Sequence, residues 1–188
     1  MFTWQSSDGR ALESARVLFG ATGLRALGRA VHAPLDEPAF TASYRLFVDD
    51  QGVLARLSVT SATEDRERNL TLNHTEDGYW MLDTGSGGGR SEFDGALDVD
   101  LHYSPLFNAL PIRRMGLHRQ TGDREVPMVF VTLPTLRVEL VKQRYRTVSP
   151  LDEQRRSVVH FSSETFHADL VVDADGMVLD YPGLATRL

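Results

Sequence analysis

The sequence predicts a mainly β protein built on one antiparallel sheet, with a short helical insertion around residues 104–115. Three observations support this fold class. Apolar and polar residues alternate with period 2 through most of the chain, in runs of about six to ten residues. Turn sequences separate many of these runs, at 49–52 (DDQG), 76–78 (EDG) and 173–176 (DADG). Residues 104–116 break the alternation and contain two prolines.

The alternation predicts a series of strands in chain order. They are expected at residues 13–20, 25–32, 41–48, 53–61, 66–74, 79–83, 96–103, 125–133, 137–147, 155–162, 165–172 and 177–181. Pro111 should end any helix that begins near Ser104, so this segment is expected to be a short helix or two turns that cross the sheet. The GSGGG stretch at 85–89 lacks the following Lys and Ser or Thr of a phosphate loop, and it is expected to be a flexible hairpin tip.

Two hairpins resemble each other. Residues 40–54 and 166–179 share a pattern of Phe, Ala, Val, Asp, Gly and Leu around their turns. A duplicated hairpin and convergence on the same turn chemistry both explain this similarity, and convergence is favoured.

Composition excludes several classes of protein. The 188 residues include no cysteine, 20 basic and 26 acidic residues, and the net charge is −6. One domain spanning residues 1–188 is expected. Disulfides, a thiolate nucleophile and Cys-type metal sites are excluded, and the acidic balance argues against a nucleic-acid partner. Arginine supplies every basic residue except Lys142, which reflects either codon bias or an anion site.

The location of the protein is also an expectation from sequence. No segment approaches the roughly 20 apolar residues that cross a bilayer. The first residues carry no basic stretch followed by an apolar run, so no signal peptide is predicted. A cytoplasmic protein without a transmembrane segment is expected.

Residues 97–103 place three polar groups on one strand face. Alternation puts Asp98, Asp100 and His102 opposite Leu97, Val99, Leu101 and Tyr103. Such a face could form an oxygen-rich metal site or an acid–base pair. It could equally be a polar face that meets arginines of a neighbouring strand, which is the favoured interpretation.

Three arginines are candidates for contact with the carboxylates of this polar face. Arg113 and Arg114 follow the proline-bounded segment, and Arg144 lies with Lys142 and Arg146 on one face of a predicted strand, opposite Gln143 and Tyr145. A guanidinium binds a carboxylate or a phosphate through two parallel hydrogen bonds. These arginines could therefore neutralise Asp98 and Asp100 in a structural network, which is favoured, or hold an anionic headgroup.

No catalytic residue, metal site or cofactor is predicted. The serines form no GxSxG motif and the histidines no HExxH motif, and His160 and His167 are isolated on strands. Large aromatic residues occur on many strands, where they fill a core or line a cavity, with core filling favoured. These residues are Trp80, Phe93, Phe107, Phe130, Tyr145, Phe161 and Phe166.

Three segments resemble a known family. Residues 98–115 (DVDLHYSPLFNALPIRRM), 143–146 (QRYR) and 166–184 (FHADLVVDADGMVLDYPGL) are similar in order and spacing to the bacterial glycolipid-binding family, formerly a domain of unknown function. The resemblance implies a strongly curved antiparallel sheet, a β-roll or half-barrel like that of lipoprotein carriers. The motif residues that it transfers are Asp98, Asp100, Pro105, Asn108, Pro111, Arg113, Arg114, Gln143, Arg144, Tyr145, Asp173, Gly176, Tyr181, Pro182 and Gly183.

The function that the resemblance implies is non-catalytic binding of a lipid or glycolipid in an apolar cavity of the curved sheet. The expected ligand-binding residues are Asp98, Asp100, Asn108, Arg113, Arg114, Arg144 and Tyr145. Two alternatives stay open. One is an enzyme that acts on a sugar or lipid headgroup through the Asp/His face, and the other is a structural or interaction module that uses exposed strand edges. The oligomeric state is not predicted.

Overall fold

The computed structural model describes residues 1–188 and contains one sheet of 15 strands with one α-helix, α1, at Pro105–Arg114. The first eight strands are β1 Phe2–Ser6, β2 Ala11–Gly20, β3 Gly23–His32, β4 Phe40–Val48, β5 Leu54–Ala62, β6 Glu67–His74, β7 Trp80–Asp83 and β8 Gly88–Ser91. A 3₁₀ turn at Phe93–Gly95 leads to β9 at Val99–Leu101 and then to α1. The remaining strands are β10 Asp123–Val131, β11 Val138–Ser149, β12 Arg156–Ser162, β13 His167–Asp173, β14 Val178–Tyr181 and β15 Ala185–Arg187.

The sheet consists of two antiparallel meanders joined by the chain ends. The strand order runs from β8 to β1, then from β15 to β9, so β1 pairs with β15 in the middle of the sheet. Only β9 and β10 pair in parallel. The sheet is curved and does not close, which confirms the predicted mainly β half-barrel with a short helix.

Each predicted strand has a counterpart in the structure, but one strand is shorter than predicted, the glycine segment is partly a strand, and three short strands are additional. The strand expected at 96–103 contains only Val99–Leu101, because the 3₁₀ turn and α1 take its two ends. The glycines of 85–89 are divided between a turn closed by the Thr84 N–H to Gly87 carbonyl bond and strand β8. Strands β1, β8 and β15 were not predicted, since three to five residues are too few to show alternation.

The expectation that Pro111 ends the helix is wrong. Helix α1 continues through Pro111 to Arg114. An internal proline removes one helical hydrogen bond and costs about 3 kcal/mol. Packing on all sides compensates this loss, because every residue from Pro105 to Ile112 is buried. None of the helices has the length and apolar character needed to cross a bilayer.

Helix α1 lies on the concave side of the sheet and belongs to both parts of the core. Leu106, Phe107 and Leu110 pack in the larger cluster with residues of β1 to β7, whereas Ile112 packs in a second cluster with β11 to β14. The ring of Phe107 meets that of Tyr44 edge-on, with the centroids 5.2 Å apart. The helix therefore occupies the interior that an open half-barrel would leave for a ligand.

Four of the seven large aromatic side chains named from the sequence fill this core. Trp80, Phe107 and Tyr145 have essentially no exposed surface, and Phe161 is 4% exposed. The indole N–H of Trp80 donates to the Ala96 carbonyl at 2.9 Å, which ties β7 to the segment before β9. Core filling, the favoured interpretation, therefore holds for these four residues, whereas Phe93 and Phe130 are half-buried and Phe166 is 41% exposed.

We predict that Phe107→Ala lowers the free energy of unfolding by about 3–5 kcal/mol, because it removes a fully buried ring from the contact between helix and sheet. Urea unfolding followed by circular dichroism measures this change. Phe47→Ala is the matched control, since Phe47 is 37% exposed on the outer face, and its effect should stay below about 1 kcal/mol. Equal losses in the two variants would contradict the internal position of α1.

Candidate functional site

One buried ion pair joins the helix to the segment before β9. The guanidinium of Arg114 donates to Asp98 through Nε, at 3.1 Å from Oδ2, and through Nη2, at 2.5 Å from the same oxygen. The side chain of Asp98 is 1% exposed and that of Arg114 is 17% exposed. Burial raises the pKa of Asp98, while the hydrogen bond and charge of Arg114 oppose this increase. Of the three candidate arginines, Arg114 is the one that neutralises a predicted carboxylate.

The two similar hairpins hold the C-terminal end of α1. In each turn an Asp side chain accepts N–H bonds from the residues two and four positions later, which are Gln51 and Val53 for Asp49. The glycines of both turns have positive φ values, +84° at Gly52 and +74° at Gly176. A Cβ at Gly52 would lie 3.1 Å from the Arg114 Cβ, and one at Gly176 would lie 2.8 Å from the Arg113 Cγ. Both turns therefore need glycine where the helix approaches.

A hydrogen-bonded series of four buried polar side chains connects β9 to the helix. Gln143 donates to Asp100 Oδ2 at 2.6 Å, and the hydroxyl of Tyr145 donates to the Gln143 carbonyl oxygen at 2.9 Å. Asn108 of α1 donates to the Tyr145 hydroxyl at 3.1 Å. Burial raises the pKa of Asp100 to about 6, although the bond from Gln143 acts in the opposite direction. This hydrogen-bonded series brings together Asp100, Asn108 and Tyr145, three of the expected ligand-binding residues.

The other two predicted arginines lie elsewhere. Arg113 donates to the carbonyl of Asp175 and lies over the ring of Phe19, with Cζ 4.4 Å from the centroid. Arg144 is on the outer face of β11, where Nε and Nη2 each donate to Asp123 at 2.7 Å. The expectation that these two side chains neutralise the carboxylates of 98–100 is therefore corrected.

His102 is also separated from the two carboxylates. It stacks on Tyr103 with ring centroids 3.6 Å apart, and β9 ends before it. Asp98 and Asp100 are 1% and 8% exposed, so this strand offers no open cleft of the kind that the enzyme hypothesis requires. No cluster of three or more His, Asp or Glu side chains is arranged to hold a metal ion.

A second buried carboxyl, Glu13 of β2, lies at the N-terminal end of α1. Its Oε1 accepts hydrogen bonds from the hydroxyls of Tyr44 and of Ser104, the latter at 2.6 Å. No protein group hydrogen-bonds Oε2, and Glu13 is 4% exposed. Burial raises the pKa of Glu13 to about 7, against the opposing effect of the two hydroxyls. This acid therefore exists in both protonation states near neutral pH.

The position of Tyr44 depends on a glycine of the neighbouring strand. Gly28 of β3 is the register partner of Tyr44 on β4. A Cβ at Gly28 would lie 2.0 Å from the Cζ of the Tyr44 ring. The missing side chain thus lets the phenol lie across β3 and reach Glu13 of β2.

Glu13 lines a cavity of about 250 Å³ at one end of the half-barrel. The strand ends of β1 to β4, the start of α1 and the loop before β15 surround this cavity. Its apolar and aromatic lining includes Trp4, Phe40, Tyr103 and Leu184, and its polar lining includes Glu13, His32, Asp8, Arg10 and Glu37. We call it the end cavity.

One wall of the end cavity is a stack of rings. His32 stacks on Phe40 with centroids 4.7 Å apart, and Tyr103 lies 5.0 Å from His32. Burial, with a smaller effect of His102, lowers the pKa of His32 to about 4, so this imidazole is neutral at pH 7. Tyr103 has a φ of 67°, a left-handed conformation that is unfavourable for an aromatic residue. Such strain is often found at functional sites.

The sequence interpretation missed Glu13, Tyr44, Ser104 and His32 as site residues. A signal for Glu13 was present in the alternation of β2, where it shares the inward face with Ala15 and Val17. An acid on an apolar face must either be paired or be neutral, so this position should attract notice. Ser104 and Tyr44 carry no comparable signal, because their importance comes from meeting Glu13 in three dimensions.

Fold and site define a curved β-sheet protein that holds a helix on its concave side and a mixed polar and aromatic cavity at one end. The sequence comparison is consistent with this class. The chain belongs to the family described as "Putative glycolipid-binding", which matches residues 1–187. The resemblance inferred from 98–115, 143–146 and 166–184 is thereby confirmed. No curated protein matches the sequence.

Two solved structures are similar to this chain. A crystal structure of a DUF1089-family protein from Pseudomonas aeruginosa has a TM-score of 0.73 and 28% identity, and the match covers 94% of this chain and 92% of that one. A beta-barrel-like protein of the domain of unknown function DUF1849 from Brucella abortus has a TM-score of 0.53 and 10% identity, and the match covers 99% and 92% of the two chains. The second similarity concerns the fold alone.

We predict that Arg114→Ala destabilises the protein by about 3–5 kcal/mol, because it leaves the Asp98 carboxylate buried without its cation. Chemical unfolding measures the loss. Arg144→Ala is the control, since it breaks the exposed pair with Asp123 and should cost at most about 1 kcal/mol. Similar losses for the two variants would contradict a distinct role for the buried pair.

Glu13 should make stability depend on pH. Its pKa rises from 4.5 to about 7 on folding, so its stabilising contribution is complete below pH 4.5 and is lost as the pH rises toward 7. The difference in unfolding free energy between the wild type and Glu13→Gln should therefore fall by on the order of 3 kcal/mol across this range. Asp100 titrates near pH 6 and leaves some pH dependence in the variant. Parallel stability curves for the two proteins would show that Glu13 is not the titrating group.

Proposed function

We propose that the protein binds a glycolipid without catalysis and that the end cavity receives the sugar of its headgroup. The observation that carries this proposal is the Glu13 carboxyl, which lines the cavity beside a ring stack and has one oxygen without a partner. Membership of the family supports a glycolipid as the ligand class.

The size of the end cavity favours a headgroup over a whole lipid. Its volume of about 250 Å³ is below the roughly 300–1,000 Å³ that is typical of pockets for drug-sized ligands. Helix α1, buried from Pro105 to Ile112, occupies the concave interior where an acyl chain would otherwise lie. The acyl part of a bound glycolipid would therefore lie outside the half-barrel, and the apolar cavity expected from sequence is replaced in this proposal by a smaller amphipathic one.

The chemistry of the lining suits a sugar. The C–H faces of a sugar ring are apolar and can pack on the rings of Tyr103, Phe40 and His32. Its hydroxyls both donate and accept, so one of them would pair with Glu13 in either protonation state. Oε2 itself has less than 1 Å² of accessible surface, so this pairing requires the carboxyl to turn toward the cavity. A buried polar group without a partner carries a desolvation penalty of about 1–3 kcal/mol, and a ligand hydroxyl would remove it.

The predicted residues at 98, 100, 108, 114 and 145 have a supporting position in this proposal. They hold α1 against β9 and β11, and the start of α1 in turn brings Ser104 to Glu13 and Pro105 to the cavity. No observation favours an enzyme or a structural module over binding.

The experiment is a calorimetric titration with octyl β-glucoside, kept below its micelle concentration, with pentaethylene glycol mono-octyl ether as the control of equal chain length. The wild type should bind the glucoside and bind the ether at least about tenfold more weakly, since the sugar hydroxyl pairs with Glu13. Equal binding of the two amphiphiles, or binding of neither, would contradict recognition of a sugar headgroup.

Substitutions at Glu13 test its role directly. Glu13→Leu should lower the affinity for octyl β-glucoside by on the order of tenfold, whereas Glu13→Gln keeps a polar group at the position and should retain most of it. Glu37→Leu is the matched control, because Glu37 lines the same cavity but is exposed. If Glu13→Leu binds as the wild type does, the sugar site lies elsewhere.

A further inference from the structure

The outer face of β2 to β5 carries five arginines and no acidic residue. Arg16, Arg25, Arg29, Arg45 and Arg56 are all exposed, and none of them lies within ion-pair distance of a carboxylate. Strand alternation places them opposite the buried core residues of the same strands. In a chain of net charge −6, this is a concentration of positive charge on one surface.

Apolar side chains are interspersed with these arginines in the sheet register. One row across the strands is Leu18, Arg25, Phe47 and Arg56, and the next begins with Arg16, Leu27 and Arg45. Leu12, paired with Val31, extends the surface toward the end cavity. The exposed fractions of Leu18, Leu27 and Val31 are 47%, 49% and 54%.

The other half of the sheet has a different outer face. On β10 and β11, Arg144 pairs with Asp123 at 2.7 Å and Lys142 pairs with Glu125 at 3.4 Å. His160 of β12 likewise pairs with Asp169 of β13. Lys142, Arg144 and His160 of that half thus each have an acid on an adjacent strand, although Arg146 and Arg156 have no ion-pair partner, whereas none of the five arginines of β2 to β5 has one.

We propose that the outer face of β2 to β5, which we call the arginine face, docks on a membrane surface rich in anionic phospholipids. Guanidinium groups bind phosphodiesters through paired hydrogen bonds, and exposed leucines insert among the headgroups and upper acyl chains. The face extends about 20 Å along β2 and about 14 Å across four strands, enough to cover several lipids. Charge complementarity favours an anionic bilayer, and the exposed apolar side chains favour it over nucleic acid, which offers no apolar layer.

Membrane docking by the arginine face does not require the sugar site. Leu12 and Val31 are on the strand segments that end at the cavity, next to Ala11 and His32. Docking by the arginine face would therefore bring the cavity close to the lipid headgroups from which a glycolipid could enter.

The test is co-sedimentation with vesicles of phosphatidylcholine alone and of equal parts phosphatidylcholine and phosphatidylglycerol. The wild type should bind the anionic vesicles, and raising the salt concentration should weaken this binding. The triple variant Arg25→Gln, Arg29→Gln, Arg45→Gln should lose about 100-fold in affinity, at about fivefold per arginine. Equal binding to both types of vesicle, or to neither, would overturn the proposal.

A matched triple variant separates position from net charge. Lys142→Gln, Arg144→Gln, Arg146→Gln removes the same charge from the outer face of β11 and should retain the binding of the wild type. An equal loss in both triple variants would show that net charge alone determines binding. Tighter binding to a DNA duplex of mixed sequence than to anionic vesicles would likewise overturn the proposal.

A spectroscopic probe tests contact without removing charge. Leu27→Trp should show a blue shift of its emission with anionic vesicles, while Leu140→Trp, exposed on β11, should not. Native Trp4 and Trp80 are buried and give a constant background.

Titration of the arginine-face triple variant with octyl β-glucoside should match that of the wild type. Failure of membrane docking and failure of sugar binding are therefore distinguishable. Intact sugar binding also shows that the triple variant is folded.

Discussion

The enclosure of α1 by the curved sheet is the constraint on which the rest of the structure depends. A helix that is buried along its length cannot leave a polar group without a partner, because burial of an unpaired charge or amide costs several kcal/mol. Each polar side chain of this segment therefore meets a specific group, with Ser104 on Glu13, Asn108 on Tyr145 and Arg114 on Asp98. The three partners lie on β2, on β11 and just before β9, so these bonds connect the helix to both meanders.

The sequence predicts features that depend on residues close together in the chain, and it misses features that depend on contacts between distant segments. Side-chain alternation is local, and it correctly placed Gln143 and Tyr145 on the face of β11 opposite Arg144. The partner of Arg144 is not local, since it depends on how β10 pairs with β11 in register and on a diagonal contact to Asp123. Pro111 failed as a helix terminator for a similar reason, because the packing that outweighs its local cost comes from strands far away in the chain.

The two faces of the sheet follow different electrostatic rules. On the inner face, low polarity makes each carboxyl depend on its immediate partner, as Asp98, Asp100 and Glu13 show. On the outer face, water screens the charges, and an arginine without a partner costs little. The sequence is therefore free to keep unpaired arginines on β2 to β5, and their clustering reflects a surface property rather than a requirement of folding.

The assignment of the ligand site to Glu13 rather than to the motif residues follows from hydrogen-bond capacity. Asp98 uses both oxygens on Arg114, and Asn108, Tyr145 and Gln143 are connected to one another, so a ligand would have to break existing bonds to engage them. Glu13 has the opposite arrangement, with both hydroxyl donors on Oε1 and none on Oε2. A hydrogen bond formed to an unpaired buried oxygen removes a desolvation penalty that the folded protein already bears. A ligand can therefore gain a hydrogen bond at the end cavity without breaking one. The hydrogen-bonding groups of the motif residues, in contrast, are already occupied in holding the helix.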